Sequence, residues 1–168
     1  MDEITLRAIE YSDMAMLQRW RNSPGVMPYC RQYRPLTQQD MLQWYELGKK
    51  ESDYNLTNDL FIIEYNNKAI GVGGFVRIDW RNRKGELSFY IGTHTENTKK
   101  MVGLALSALL EYAFKTLGLH KIIFPCYSFN PNIPTYKETL TEEYTAKEEY
   151  YWDGKFWDRI ILVAYKEK

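Results

Sequence analysis

The 168-residue chain carries 22 Lys plus Arg against 22 Asp plus Glu, so its formal net charge is zero. A neutral chain has no global pull toward nucleic acid or an anionic membrane, and neither is expected as a partner. At this length a single domain, residues 1–168, with a sizeable core is expected.

Cys30 and Cys126 lack CxxC spacing and clustered histidines, so neither a metal site nor a disulfide framework is expected. Reduced thiols suit the cytoplasm. The opening MDEITLRAIE sets two acids ahead of any apolar run, unlike a signal peptide, and no stretch of 18 apolar residues follows.

Ile4 to Ile9 alternates apolar and polar, the pattern of a half-buried strand. Ser12 or Asp13 can cap a helix carrying Met14, Leu17 and Trp20, which stops at Ser23-Pro24-Gly25. A second helix is expected from Thr37, whose hydroxyl can cap the first turn, with Asp40 favouring the dipole and Met41, Trp44 and Leu47 as the buried stripe. The polar run Lys49 to Asn58 reads as a loop.

Strands follow at Leu60–Tyr65 and Lys68–Ile78, joined by Asn66-Asn67, both tolerant of positive φ. After a turn at Asp79–Lys84, Glu86–Ile91 alternates, with Leu87, Phe89 and Ile91 on one face and Glu86, Ser88 and Tyr90 on the other. Val102, Ala105, Leu106, Leu109, Leu110, Ala113 and Phe114 then recur at helical spacing up to Gly118. Lys121–Tyr127 reads as a strand, and Asn130-Pro131-Asn132-Ile133-Pro134 breaks the chain. A short helix is expected from Thr135 through Leu140, and a closing hairpin, Tyr144–Trp152 with Phe156–Tyr165, turns at Asp153-Gly154. The order predicts a mixed α/β (α+β) domain on one central sheet flanked by helices.

Three stretches carry a resemblance over nearly the whole chain. ITLRAIEYSDMAMLQRWRNSP, AIGVGGFVRID followed by GELSFYIG, and DGKFWDRIILVAY resemble the opening strand and helix, the central hairpin and the closing hairpin of the GNAT N-acetyltransferase superfamily. LLEYAFKTLGLHKI is similar to the branch that contains ribosomal-protein alanine and nucleotide-amino-sugar acetyltransferases.

The resemblance implies the GNAT fold and transfer of an acetyl group from acetyl-CoA to a primary amine, on a protein N-terminus or a small molecule such as an amino sugar. It implies that Phe89, Tyr90 and Ile91 pair with pantetheine, and that Asn97, Thr98, Lys99, Lys100, Met101 and Val102 receive the pyrophosphate, with Lys99 and Lys100 adding charge. Asn130 is expected on the CoA arm. Glu86 is the expected general base, through water. Tyr136 is the expected general acid, with Ser128 or Tyr127 as alternatives. Arg21, Asn22 and Tyr29 are expected at the acceptor, and a monomer or homodimer is expected.

The chain departs from the family pattern in two places. No glycine falls within Asn97 to Val102, where the family places two, and Pro131 and Pro134 interrupt the helix expected after Asn130. A second reading is therefore a GNAT-fold binding or assembly module without CoA; only an enzyme needs an anion at residues 95–102.

Overall fold

The computed structural model describes residues 2–51 and 57–167. Seven strands form one sheet: β1 (Ile4–Ala8), β2 (Asp59–Tyr65), β3 (Lys68–Asp79), β4 (Lys84–Ile91), β5 (Lys121–Tyr127), β6 (Thr141–Trp152) and β7 (Lys155–Tyr165). Their spatial order is β1-β2-β3-β4-β5-β7-β6. Every neighbouring pair is antiparallel except β4 with β5, which run parallel.

The tight turns are where residue chemistry places them. Asn66 and Asn67 take φ of 49° and 61°, and Asp153 and Gly154 take 51° and 78°, the positive values that a two-residue hairpin needs.

Four helices cover the sheet: α1 (Met14–Arg21), α2 (Gln38–Glu51), α3 (Thr98–Glu111) and the short α4 (Ile133–Tyr136). They divide its faces. On one side α3 buries Val102, Ala105, Leu106 and Leu109 against Phe75, Leu87, Ile91, Ile122 and Phe124. On the other, Met14 and Leu17 of α1 and Met41 of α2 pack on Ile62 and Val72. Thr37 caps α2 as expected: its hydroxyl accepts from the Asp40 amide at 3.2 Å while Asp40 accepts from the Thr37 amide at 2.7 Å.

Several boundaries differ from the sequence reading. A 3-10 turn, Tyr11–Asp13, precedes α1, and Asp13 reaches back to accept from the Glu10 amide while Arg7 grips both its carboxylate oxygens. In α2 the buried seam is Met41 with Leu42 and Tyr45, not Met41, Trp44 and Leu47; Trp44 and Leu47 are exposed. The i, i+4 step, rather than i, i+3, keeps this helix on the sheet. The helix also continues through residue 51, and residues 52–56 of the expected loop lie outside the described residues. After Glu111 the third helix widens into a π turn, Tyr112–Thr116. The helix expected over 135–140 starts earlier, at Ile133, because Pro134 is tolerated in a first turn where its missing N–H is not needed.

Candidate active site

The parallel ladder between β4 and β5 is short. It pairs Lys84 with Lys121, Gly85 with Ile122 and Glu86 with Ile123, and then ends. From Leu87 to Ile91 the edge of β4 away from β3 has no strand beside it among the described residues, while β5 stays paired with β7 through Tyr127. Pro125 stands on the β5 side of the gap. It has no N–H for a ladder, and such a residue is confined to an open strand edge. The result is a cleft of about 290 Å³ that cuts through the sheet and joins its two faces.

The alternation of β4 sorts the lining. Leu87, Phe89 and Ile91 point toward α3, whereas Glu86, Ser88 and Tyr90 point toward α1 and α2. At the α3 side the cleft is lined by Thr98, Val102, Asn130, Asn132 and Tyr136; at the α1 side by Arg21, Tyr29, Cys30, Arg31 and Tyr127.

Two glycines let the walls close up. A Cβ on Gly92 would sit 2.2 Å from the indole of Trp20, and one on Gly25 would sit 2.5 Å from Nε2 of His94. The loop after α1 is thus held directly against the loop that leads from β4 into α3.

The start of α3 differs from the expected arrangement. Among Asn97, Thr98, Lys99, Lys100, Met101 and Val102, only Thr98 and Val102 line the cleft. Helical geometry is the reason. Residues 98 and 102 are one turn apart on the same face, while 99 and 100 rotate away by about 100° per residue. Lys99 pairs with Glu138 at 3.4 Å and Lys100 with Asp2 at 2.6 Å, both on the exposed surface, and Met101 is buried in the core. The lysine side chains therefore do not supply the expected charge to the cleft. Backbone donors remain: the amides of Lys99 and Lys100 have no hydrogen-bond partner among the described residues, whereas those of Thr98 and Met101 are bonded to Thr95 and Asn97.

Glu86 sits at the floor of the cleft, on the last rung of the ladder. Its Oε2 accepts from Arg77 at 2.6 Å, and Oε1 has no partner among the described residues. Tyr136 lies opposite, edge-on to Phe124 at 4.9 Å and to Phe89 at 5.8 Å between ring centres. Burial raises its hydroxyl pKa above the ordinary tyrosine range, opposed by hydrogen bonds from Asn130 and Asn132. The phenol keeps its proton throughout the neutral range. Asn130 also accepts from the Asn132 amide at 2.9 Å, which fixes the turn into α4.

Of the alternatives to Tyr136, Ser128 is tied to β7 through the Asp158 amide, and Tyr127 accepts a 2.7 Å bond from Nε of Arg31.

Of the expected acceptor residues, Arg21 and Tyr29 line the cleft and Asn22 does not. Both ends of the Asn22 amide are spent on the loop: Oδ1 accepts from the Leu36 amide and from Gln32, and Nδ2 donates to the Leu36 carbonyl. Asn22 is a clamp, not a contact. The sequence reading missed Arg31 and the ring stack behind it, in which Tyr127 lies 3.8 Å from Tyr150 and Tyr29 lies 5.4 Å from Phe129.

The family model described as "Acetyltransferase (GNAT) domain" matches residues 3–133. The chain belongs to the GNAT acetyltransferase family. It is an acetyl-CoA-dependent N-acetyltransferase on that basis, acetyl-CoA being the donor that the family uses.

Among its GNAT relatives is the spermidine N(1)-acetyltransferase of Vibrio cholerae, 26% identical over 168 residues, covering 98% of this chain and 95% of the relative. Another is an uncharacterized N-acetyltransferase, p20, of Bacillus licheniformis, 27% identical over 125 residues, or 72% of this chain and 68% of the relative. A crystal structure of the Vibrio cholerae spermidine N-acetyltransferase in complex with CoA and spermine superposes with a TM-score of 0.79 at 24% identity, over 97% of this chain and 95% of that one. This places the GNAT fold on the chain. No helix among the described residues is long and apolar enough to cross a membrane.

Proposed function

We propose that the cleft beyond Glu86 and Ile123 holds acetyl-CoA and that the chain, as one catalytic domain, transfers the acetyl group to a primary amine by direct attack. The parting of β4 and β5 carries this reading. It leaves the gap-facing backbone donors and acceptors of the Phe89, Tyr90 and Ile91 stretch for an extended, amide-bearing arm, the others being bonded to β3. Thr98 and the unpaired amides at the start of α3 then receive the pyrophosphate, with Asn130 beside the arm.

Attack on a thioester needs a neutral amine, a proton acceptor and an acid for the leaving thiolate. Glu86, through its free Oε1 and a water, takes the proton. Tyr136, held protonated by burial, gives one to the sulfur. Arg21 and Tyr29 border the acceptor.

The acceptor is a protein N-terminal amine or a small amine such as an amino sugar. An amine titrating near 8 asks far less of Glu86 than a lysine near 10.4. A cytoplasmic setting accords with the free thiols of Cys30 and Cys126.

The test is release of CoA from acetyl-CoA, followed with a thiol reagent, in the presence of an alanine-initiated peptide, glucosamine or spermidine. Amine-dependent release is expected. Release no faster than hydrolysis with every amine would reject the reading.

A further inference from the structure

The acceptor side of the cleft carries more positive charge than it neutralises. Arg21, Arg31 and Arg77 line it, and Glu86 is the only carboxylate among the described lining residues. Arg77 and Glu86 cancel each other at 2.6 Å. Arg21 and Arg31 meet no carboxylate among the described residues, and each spends only Nε on the protein: Arg21 on Gln32 at 3.2 Å, Arg31 on Tyr127 at 2.7 Å. The terminal nitrogens of both have no hydrogen-bond partner among the described residues.

Both guanidinium groups are held in place by their surroundings. Gln32 is buried and donates in turn to Asn22, which clamps Leu36, so a relay of hydrogen bonds fixes Arg21. Arg31 has a left-handed backbone, φ 52°, a conformation that a side chain with a Cβ adopts only when the surrounding structure dictates it. Its Nε is docked on the hydroxyl of Tyr127, itself stacked on Tyr150. The field of both arginines reaches the cleft: Arg21 opposes the burial that raises Tyr90, and Arg31 does the same for Tyr127.

We infer that Arg21 and Arg31 bind an anionic group, phosphate or carboxylate, on the amine that is acetylated, and that the acceptor is not a polyamine. The inference rests on the proposed acetyl transfer to an amine in this cleft. A planar guanidinium with two free N–H edges matches the paired oxygens of either anion. A polyamine, with a positive charge every few carbons, meets two unneutralised cations here and, among the described lining residues, no carboxylate other than Glu86, which Arg77 already pairs. Like charge in a half-buried cleft excludes it.

The test is calorimetry on the CoA-loaded protein, in which the donor side is already filled. The probes are glucosamine, glucosamine 6-phosphate, glucosaminic acid and spermidine. At least one of the two anionic probes is expected to bind tenfold or more tightly than glucosamine, and which one does so separates phosphate from carboxylate recognition. That preference should shrink at least fivefold in Arg31→Gln and in Arg21→Gln, survive in part in Arg31→Lys, and fall with added salt.

Equal binding of glucosamine and both anionic probes, tighter binding of spermidine, or a preference untouched in Arg31→Gln would overturn the inference. Acetyl transfer is read separately. Anion preference without CoA release would remove the proposed reaction and leave the anion site; CoA release without anion preference would do the reverse.

Discussion

Glu86 and Ile123 form the last rung between β4 and β5, and the strands part immediately beyond it. One pairing therefore separates two chemical environments: a ladder whose amides are satisfied, and a gap in which those of one edge of Leu87 to Ile91 are left for a ligand. Hydrogen exchange with and without acetyl-CoA reads this directly. Amides of Leu87–Ile91 and of the first turn of α3 are expected to slow on adding the cofactor, while β1 and β2 stay unchanged. Uniform slowing across the sheet, or none in β4, would contradict a ligand seated in the gap.

Glu86 stands where the gap begins, with one oxygen on Arg77 and one free. Glu86→Gln keeps the shape and removes the proton acceptor. Its kcat should fall by roughly 10² to 10⁴ at neutral pH, the usual range for a general base. The loss should shrink as pH rises past about 8, where an α-amine loses its proton unaided. A pH–rate profile of the variant decides the matter, since an unchanged rate at pH 7 would leave Glu86 a structural partner of Arg77.

Buried phenols and a thiol make stability depend on alkaline pH. Burial holds Tyr90, Tyr112 and Tyr136 above the ordinary range, and raises Tyr150 to about 12 and Cys126 to about 12. Folded pKa values above the unfolded ones, about 10 for tyrosine and 8.5 for cysteine, mean that fewer protons are bound in the unfolded state. This stability is complete below the unfolded values and is lost as pH climbs from there through the folded ones.

Asp13 behaves oppositely. The hydrogen bonds from Arg7 lower its pKa, so its contribution is present above about 3.9 and lost as pH falls. Thermal unfolding across pH should show Tm level through neutrality, dropping below about 4, and falling again from about 8.5 with the thiol and more steeply above about 10 with the phenols. A Tm that holds through pH 11 would contradict the burial of these groups.

The turns and the long apolar helix were legible because their signals are local. Asn66-Asn67 and Asp153-Gly154 name their own backbone angles, and the stripe from Val102 to Leu110 repeats at helical spacing. What the letters hid is relational. That the β4–β5 ladder ends at Glu86 depends on two strands whose paired residues lie 37 positions apart in the chain, and only Pro125 hints at it. Lys99 and Lys100 look suited to phosphate in sequence, but the helical phase set by the buried stripe turns them outward to Glu138 and Asp2. Asn22 stands in the loop between the first two helices, where the resemblance implies the acceptor, yet its amide is consumed by Leu36 and Gln32. Arg31 carries no motif at all; its place at the cleft comes from a left-handed backbone and from Tyr127, 96 positions away.

Occupation of the gap beyond Glu86 and Ile123 by acetyl-CoA is read by titration calorimetry on wild type and on Ser88→Trp. Ser88 is exposed and lines the cleft, so an indole there fills the gap without disturbing the core. Wild type should bind acetyl-CoA at a single saturable site, and Ser88→Trp should bind at least tenfold more weakly, a loss of about 1.4 kcal/mol or more. Equal binding by the two proteins, or no binding by wild type at millimolar acetyl-CoA, would mean that the cofactor does not sit between β4 and β5.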